Sequence, residues 1–272
     1  MKLPHDRVLT FATVLVAAEV ALALFAPWVA PYDPLSQSIV ARLKGPNAMH
    51  LLGTDQLGRD VLARILFGMR STLLDCVLAV GFALSIGGAI GVAAAFLRGW
   101  FERLAMRVMD VIFAFPVMLL AIGIIAVLGP RATSASIAIS IIYTPIFARL
   151  LRGPALVICE AEYVAAARAI GASPWAILIR HVLPNLASVI LVQTSLALSS
   201  AILVEASLSF LGLGAQPPTP SLGLMLAEGR NFLALSPWSA VFAGFAILLI
   251  AFGFNLLGDA LRDRLDPRLA KA

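Results

Sequence analysis

Long apolar runs separated by polar stretches form the pattern of this chain. Six runs reach about the 20 residues that a helix needs to cross roughly 30 Å of hydrocarbon. They cover residues 8–29, 73–97, 108–128, 132–150, 187–210 and 238–258. The pattern predicts an all-α membrane protein in which residues 1–272 form one domain with six transmembrane helices.

The first run follows Lys2 and Arg7, as the apolar core of a secretory signal would. This run is longer than the 7–15 residues typical of such a core. We therefore expect it to remain as the first span, ending where Trp28 forms an interfacial anchor before Pro31 and Pro34.

Composition and charge support the same class. Hydrophobic residues make up 61% of the chain and charged residues 13%, which is too apolar for an ordinary soluble domain. No basic patch with interleaved aromatic residues accompanies the net charge of +5, so we expect no nucleic-acid partner. If the amino terminus is cytoplasmic, thirteen of the 20 lysine and arginine residues lie in cytoplasmic segments. The positive-inside rule then predicts that both termini are cytoplasmic, residues 30–72 external and residues 151–186 cytoplasmic.

The most informative polar stretch lies inside that cytoplasmic segment. Ala161 to Ile170 is alanine-rich and therefore strongly helix-forming. Gly171 suits the left-handed conformation that closes a helix, and Ser173 followed by Pro174 suits the start of the next one. The sequence predicts a helix, a fixed bend and a second helix, projecting from the membrane into water.

Two other polar segments are longer and less specific. Residues 55–67 have apolar side chains on one side, which predicts an amphipathic helix lying at the outer interface, with a structural lid as the simplest role. Residues 211–237 are rich in glycine and proline, which rules out a continuous helix. We interpret them as an external loop facing a partner or the translocation path.

Motifs for bond chemistry are missing. No Gly-x-x-x-x-Gly-Lys-Ser/Thr phosphate loop occurs, so any use of ATP must come from another subunit. An intramembrane protease is disfavoured because His5, His50 and His181 all fall outside the spans. Cys76 and Cys159 are far apart and predict free thiols. We expect no catalytic residue and no metal site on this chain.

A few ionisable residues lie in or near the spans, where charge is expensive. Asp110 lies three residues after Arg107, which suits a local ion pair. Glu19 and Glu205 lie deeper, and each either serves ion coupling or is held by neighbouring helices or a wet cavity. Glu205 and Asp110 are therefore candidates for pathway or structural polar residues.

The segment around Gly171 resembles the EAA loop of ABC-importer permeases, which reads Glu-Ala-Ala, three residues, Gly, nine residues, then Ile-x-Leu-Pro. Its counterparts here are Ala165-Ala166-Ala167, Gly171 and His181-Val182-Leu183-Pro184. The spacing matches, but Ala165 replaces the usual glutamate and His181 the usual isoleucine. A salt bridge from that glutamate is therefore not expected.

The departures fit the variant found in the dipeptide, oligopeptide and nickel permease family, and three further stretches are similar to that family. They are Leu52 to Arg64 with Gly68 and Arg70, Ser209 to Gly214 through Pro217-Pro218, and Phe254 to Asp263 through Leu265-Asp266-Pro267-Arg268. Leu222 departs from the family's Pro-Ser-Trp-Gly pattern. The chain is identified as a member of this family, resembling its dipeptide-type C subunit.

The resemblance implies a type I ABC importer in the bacterial inner membrane. Its implied partners are a paralogous second permease, two cytoplasmic ATP-binding subunits that carry ATP and magnesium, and an external substrate-binding protein. The implied ATPase contact consists of residues that shape, bend or anchor the two helices of the loop. These residues are Glu162, Tyr163, Ala165, Ala166, Ala167, Arg168, Ala169, Gly171, Ser173, Pro174, His181, Leu183 and Pro184.

In this interpretation the small alanines let the helix seat closely in a groove of the ATPase. Arg168 offers a charged donor to the groove rim, and Leu183-Pro184 joins the loop to the fifth span. The expected function is ATP-driven uptake of short peptides. Nickel or a nickel chelate is the alternative cargo, and an ATP-independent channel or secondary carrier is the alternative class.

Overall fold

The computed structural model describes residues 5–265, and every regular element among them is a helix. The helices are α1 (His5–Leu24), α2 (Ala26–Val29), α3 (Val61–Leu97), α4 (Gly99–Phe113), α5 (Val117–Leu128), α6 (Ala132–Glu160), α7 (Glu162–Ala169), α8 (Pro174–Ile177), α9 (Leu183–Phe210), α10 (Leu222–Arg230) and α11 (Trp238–Leu265). A 3-10 turn covers Ile39–Ala41, and a π-helical turn covers Leu178–Val182. The predicted all-α fold is confirmed.

Helices α3 and α6 pack most closely, and they run in the same direction. A Cβ added to Gly87 would lie 2.3 Å from the carbonyl oxygen of Thr144, and one added to Gly91 would lie 2.3 Å from that of Ala148. Two glycines four residues apart thus bring the two backbones together, as small residues do between membrane helices. The Gly-x-x-x-Gly spacing of this pair is a signal of close helix packing that can be read from the sequence, although it is not among the motifs singled out above.

Helices α9 and α11 complete the bundle. The Ser199 hydroxyl donates a hydrogen bond of 2.7 Å to the carbonyl of Ala251, which joins the two helices in the interior. Helix α10 is short and packs against both of them, with Leu222 and Met225 fully buried. Helix α1 packs on α11 from the side.

The bundle has two distinct ends. At one end α3 and α6 finish, and the loop around Gly171 connects α6 to α9; we call it the Gly171 end. At the other end α3, α6 and α11 begin, next to residues 30–60; we call it the Asp55 end. The residues after α1 also lie at the Asp55 end, since Pro27 and Tyr32 line a pocket together with Phe67 of α3.

The second apolar helix starts earlier than its hydropathy indicates. Helix α3 begins at Val61, where the Asp60 carboxylate caps it by accepting a 2.8 Å hydrogen bond from the backbone N–H of Ala63. Residues 61–72 therefore belong to a 37-residue helix. The predicted amphipathic helix over residues 55–67 is wrong in its first half, because Asp55 to Asp60 form a turn closed by a bridge between Thr54 and Asp60. Residues 61–67 are helical, as the first turns of α3.

The run predicted as one span over residues 108–128 is a bent pair of helices. Helices α4 and α5 meet at Pro116 with an angle of 92° between them. Helix α5 has 12 residues and is about 18 Å long, which is shorter than the hydrocarbon layer. Within residues 5–265, five helices are long and apolar enough to cross a membrane, and the bent pair gives a sixth crossing if it is counted as one span.

Candidate functional site

The segment expected to contact an ATPase is a sharply closed helix followed by a capped one. Helix α7 ends in a Schellman motif: the backbone N–H of Gly171 donates to the carbonyl of Arg168, and the N–H of Ala172 donates to that of Ala167, both at 3.0 Å. Gly171 has a φ of +85°, in the left-handed region that glycine adopts without strain. The conformation expected at Gly171 is therefore present.

The next helix starts as its sequence indicates. The Ser173 hydroxyl accepts a 3.2 Å hydrogen bond from the backbone N–H of Ala176, and Pro174 occupies the first helical position. This helix does not stop after one turn, however. Helix α8, the π-helical turn and α9 form one 37-residue helical run from Pro174 to Phe210. Residues 174–186 of the predicted loop thus form the beginning of the fifth apolar helix.

The two sides of the Gly171 bend are braced by aromatic and amide contacts. The rings of Tyr163 and His181 are tilted against each other with centroids 5.9 Å apart. The Asn185 amide donates to the carbonyl of His181 at 2.6 Å and approaches the Tyr163 hydroxyl at 3.5 Å. His181, which departs from the usual motif, therefore helps to hold α7 against the helical run.

One surface of this segment is anchored and the other is free. Val164, Ile177 and Val182 are buried against the ends of α3 and α6. Ala165, Ala166, Ala169, Ile170 and Trp175 are exposed. The result is an outward surface of small side chains flanked by two large apolar ones, fixed to the bundle from behind.

The remaining predicted residues lie around this surface. The Arg168 guanidinium lies 5.6 Å from the centroid of the Phe96 ring of α3, in a cation–π arrangement. Glu162 is in the first turn of α7, where a negative charge suits the helix dipole. Leu183 and Pro184 are exposed in the first turn of α9.

Asp110 does not form the local pair expected with Arg107. Its carboxylate accepts a hydrogen bond of 2.5 Å from Arg149 of α6, 39 residues away, and the same guanidinium lies over the Phe113 ring. Glu102 similarly accepts from Arg152. Both pairs tie the amphipathic helix α4 to α6, an arrangement that follows from the bend after α4 and that no i,i+3 rule can predict.

The two carboxyl groups within the spans have different surroundings. Glu205 is 1% exposed, and its carboxylate accepts hydrogen bonds from Thr72 at 3.1 Å and Ser209 at 2.7 Å. Glu19 is also buried, but both of its oxygens lack a hydrogen-bond partner and one faces Gly253 of α11. The hydrogen bond from Thr72 thus links α3 to α9, whereas the bond from Ser209 is internal to α9. The structural role of Glu205 stays a prediction.

A buried charge cluster that the sequence did not predict lies at the Asp55 end; we call it the Asp55 clamp. It consists of Asp55, Arg59, Arg64 and Glu228. Asp55 accepts from Arg59 Nε at 2.6 Å and from Arg64, while Glu228 of α10 accepts from both arginines at 3.0 Å. The side chains of Asp55 and Arg64 are fully buried. The clamp therefore fastens the turn before α3 to both α3 and α10.

Comparison with known proteins identifies the family. Residues 58–271 match the family described as "Binding-protein-dependent transport system inner membrane component". This chain belongs to that family. It is a multi-pass membrane permease, and the family predicted from its motifs is confirmed.

Relatives of known name agree with this assignment. The permease is 44% identical to the glutathione transport system permease protein GsiD of Pectobacterium atrosepticum, over 97% of this chain and 88% of that protein. It is 46% identical to GsiD of Escherichia coli O1:K1, over 95% and 86% of the two chains. Among solved structures, a chain of the inward-facing MetNI methionine ABC transporter matches with a TM-score of 0.62 and 17% identity, covering 75% of this permease and 97% of that chain. That structural likeness shows the shared fold.

Proposed function

We propose that this permease is one membrane subunit of an ATP-driven importer of short peptides. The observation that supports this proposal most directly is the anchored surface around Gly171. There, exposed small residues of α7 are fixed to a helical run that continues to the far end of the bundle. ATP can drive a transporter only by favouring one of its conformations, so the ATPase needs a stiff contact with the membrane helices. The Gly171 segment supplies such a contact.

The proposed assembly has four kinds of subunit. This permease pairs with a paralogous second permease, two ATP-binding subunits dock at the Gly171 end, and an external binding protein delivers cargo at the Asp55 end. Both termini are then cytoplasmic, and the Gly171 end faces the cytoplasm. The orientation is supported by the excess of lysine and arginine in the segments assigned to the cytoplasm.

Glutathione is the first cargo to test, because the relatives at 44–46% identity are named as glutathione permeases. It is a tripeptide and fits the broader class of short peptides. Nickel, the alternative expected from the motifs, serves as the comparison cargo in the same assay.

The test is purification of the tagged permease from its native cell in mild detergent, followed by reconstitution of the complex with its binding protein. We expect a second permease and ATP-binding subunits to copurify, and ATP-dependent uptake of glutathione or a dipeptide into vesicles. A chain that purifies alone and takes up cargo with an ion gradient instead of ATP would contradict the proposal. Uptake of nickel without peptide uptake would correct the cargo.

A further inference from the structure

We propose that residues 38–42, which we call the Ile39 tip, form a docking point for the external binding protein. The inference rests on the proposed function, since it requires the Asp55 end to be the external end. The family description itself states dependence on a binding protein. The permease is therefore expected to have a surface that receives that protein.

The Ile39 tip is unusual in exposing two adjacent β-branched apolar side chains. Ile39 is 87% exposed and Val40 is 83% exposed. They lie on the 3-10 turn, and the neighbouring Ser38 and Arg42 are exposed polar residues. An exposed apolar centre with a polar rim is the usual anatomy of a protein interaction site.

The tip is braced from beneath, as a preformed docking point requires. The backbone N–H of Ser38 donates to the carbonyl of Leu57 at 3.2 Å, and the Arg42 Nε donates to that of Gln56 at 2.7 Å. Thr54 also donates to the carbonyl of Ala41. The tip is thus fixed to residues 54–58 at several points and does not depend on its own packing for its shape.

Gly58 allows the backbone of the tip to pack closely on residues 54–58. A Cβ at Gly58 would lie 1.9 Å from the carbonyl oxygen of Ser38, so a larger residue cannot occupy the position without moving the tip. The φ of Gly58 is +73°, which also favours glycine. Both the lack of space for a Cβ and the positive φ require glycine at residue 58. The tip is therefore held at a fixed distance from the turn formed by residues 54–58.

The Asp55 clamp carries the brace into the bundle. Residues 54–58 include Asp55, whose carboxylate is held by Arg59 and Arg64, and both arginines also contact Glu228 of α10. The tip is therefore connected to α3 and α10 through buried ion pairs. A rigid surface of this kind loses little conformational entropy on binding, which favours affinity.

The chemistry of the tip fits a protein partner with an apolar pocket and an acidic rim. Arg42 and Lys44 are exposed beside the apolar pair and give the surface a positive charge. Nearby apolar residues of the same segment, such as Met49, lie on a separate turn closed by Asn47 and His50. The binding protein is the proposed occupant, and the lipid surface and the second permease are the alternatives that the experiments below distinguish.

The first experiment measures binding of the loaded binding protein to the whole importer in nanodiscs. We compare Ile39→Asp and Val40→Asp with Met49→Asp, which places the same charge on another highly exposed residue, 76% accessible, of the neighbouring turn. The expected result is at least tenfold weaker binding for each tip variant, with basal ATP hydrolysis unchanged and Met49→Asp within threefold of the parent. Tip variants that bind like the parent overturn the assignment, as does a larger loss for Met49→Asp.

The second experiment separates the possible occupants. Cys76 and Cys159 are both buried, so an Ile39→Cys variant can carry a single environment-sensitive dye. A blue shift that appears only when loaded binding protein is added supports the proposal. A blue shift in vesicles before addition assigns the tip to lipid, and one on pairing with the second permease assigns it to that subunit; both overturn the proposal. If the parent complex shows no response of ATP hydrolysis to its binding protein, the proposed function fails instead of the assignment of the tip.

Discussion

Gly87 of α3 lies so close to Thr144 of α6 that an added Cβ would approach the Thr144 carbonyl oxygen to 2.3 Å. Gly81, six residues earlier on the same helix, has open space around it. We expect Gly87→Ala to destabilise the bundle by about 1–3 kcal/mol through overpacking. Gly81→Ala removes a helix glycine without a clash and should be neutral or stabilising by about 0.5–1 kcal/mol.

The two variants are compared by thermal unfolding in the same detergent. Opposite signs of the shift in Tm confirm that close backbone packing, and not glycine as such, sets the α3–α6 contact. Equal shifts would show that the two helices adjust to the extra methyl group.

Gly171 provides a test of coupling that involves no clash. Its φ is +85°, but a Cβ there meets nothing within 4 Å. Gly171→Val should therefore act through backbone strain alone, leaving the permease inserted but lowering cargo-stimulated ATP hydrolysis and uptake. Asparagine tolerates the left-handed conformation, so Gly171→Asn is the matched control and should keep most of the activity. Normal transport by Gly171→Val in the reconstituted importer would remove the bend from the mechanism.

The Asp55 clamp should be worth far more than an exposed ion pair. Asp55→Asn leaves Arg59 and Arg64 buried with only Glu228 to balance them, and we expect a loss of about 3–5 kcal/mol. Glu160→Gln breaks the pair with Arg98, whose side chains are 65% and 48% exposed, and should cost about 0–1 kcal/mol. Thermal unfolding of the two variants is the measurement. A small effect for Asp55→Asn would mean that water reaches the arginines.

Glu205 allows the structural and ion-coupling roles of a buried carboxyl group to be separated. Glu205→Leu leaves the hydroxyls of Thr72 and Ser209 buried without an acceptor, which should cost about 1–3 kcal/mol. Glu205→Gln keeps an acceptor oxygen and should retain more of the stability and nearly all of the transport. Loss of transport in a stable Glu205→Gln variant would instead show that the charge itself takes part in translocation.

Local backbone structure could be predicted from the sequence where a few neighbouring residues determine the conformation. The end of α7 at Gly171 and the start of α8 at Ser173 and Pro174 follow from backbone preferences, and the structure has them where expected. The ends of the apolar helices were less predictable, because hydropathy alone does not show that α3 begins as early as Val61.

The tertiary contacts were missed because they depend on how distant segments meet. Asp110 pairs with Arg149 because the chain bends by 92° between α4 and α5, and α4 packs against α6. Glu228 reaches Arg59 and Arg64 across more than 160 residues of chain. Pro145 and Pro154 lie inside α6 without ending it, so proline alone did not mark a boundary within the bundle.

The unbroken run from Pro174 to Phe210 makes the far end of the bundle sensitive to small movements near the Gly171 end. A helical run of 37 residues is about 55 Å long. Pivoted near Trp175 as a stiff lever, it turns a tilt of about 5° into a displacement of about 5 Å at the other end. Glu205 lies in the last two turns of that lever, so a slight rocking of its base would pull directly on the hydrogen bond that it accepts from Thr72 of α3.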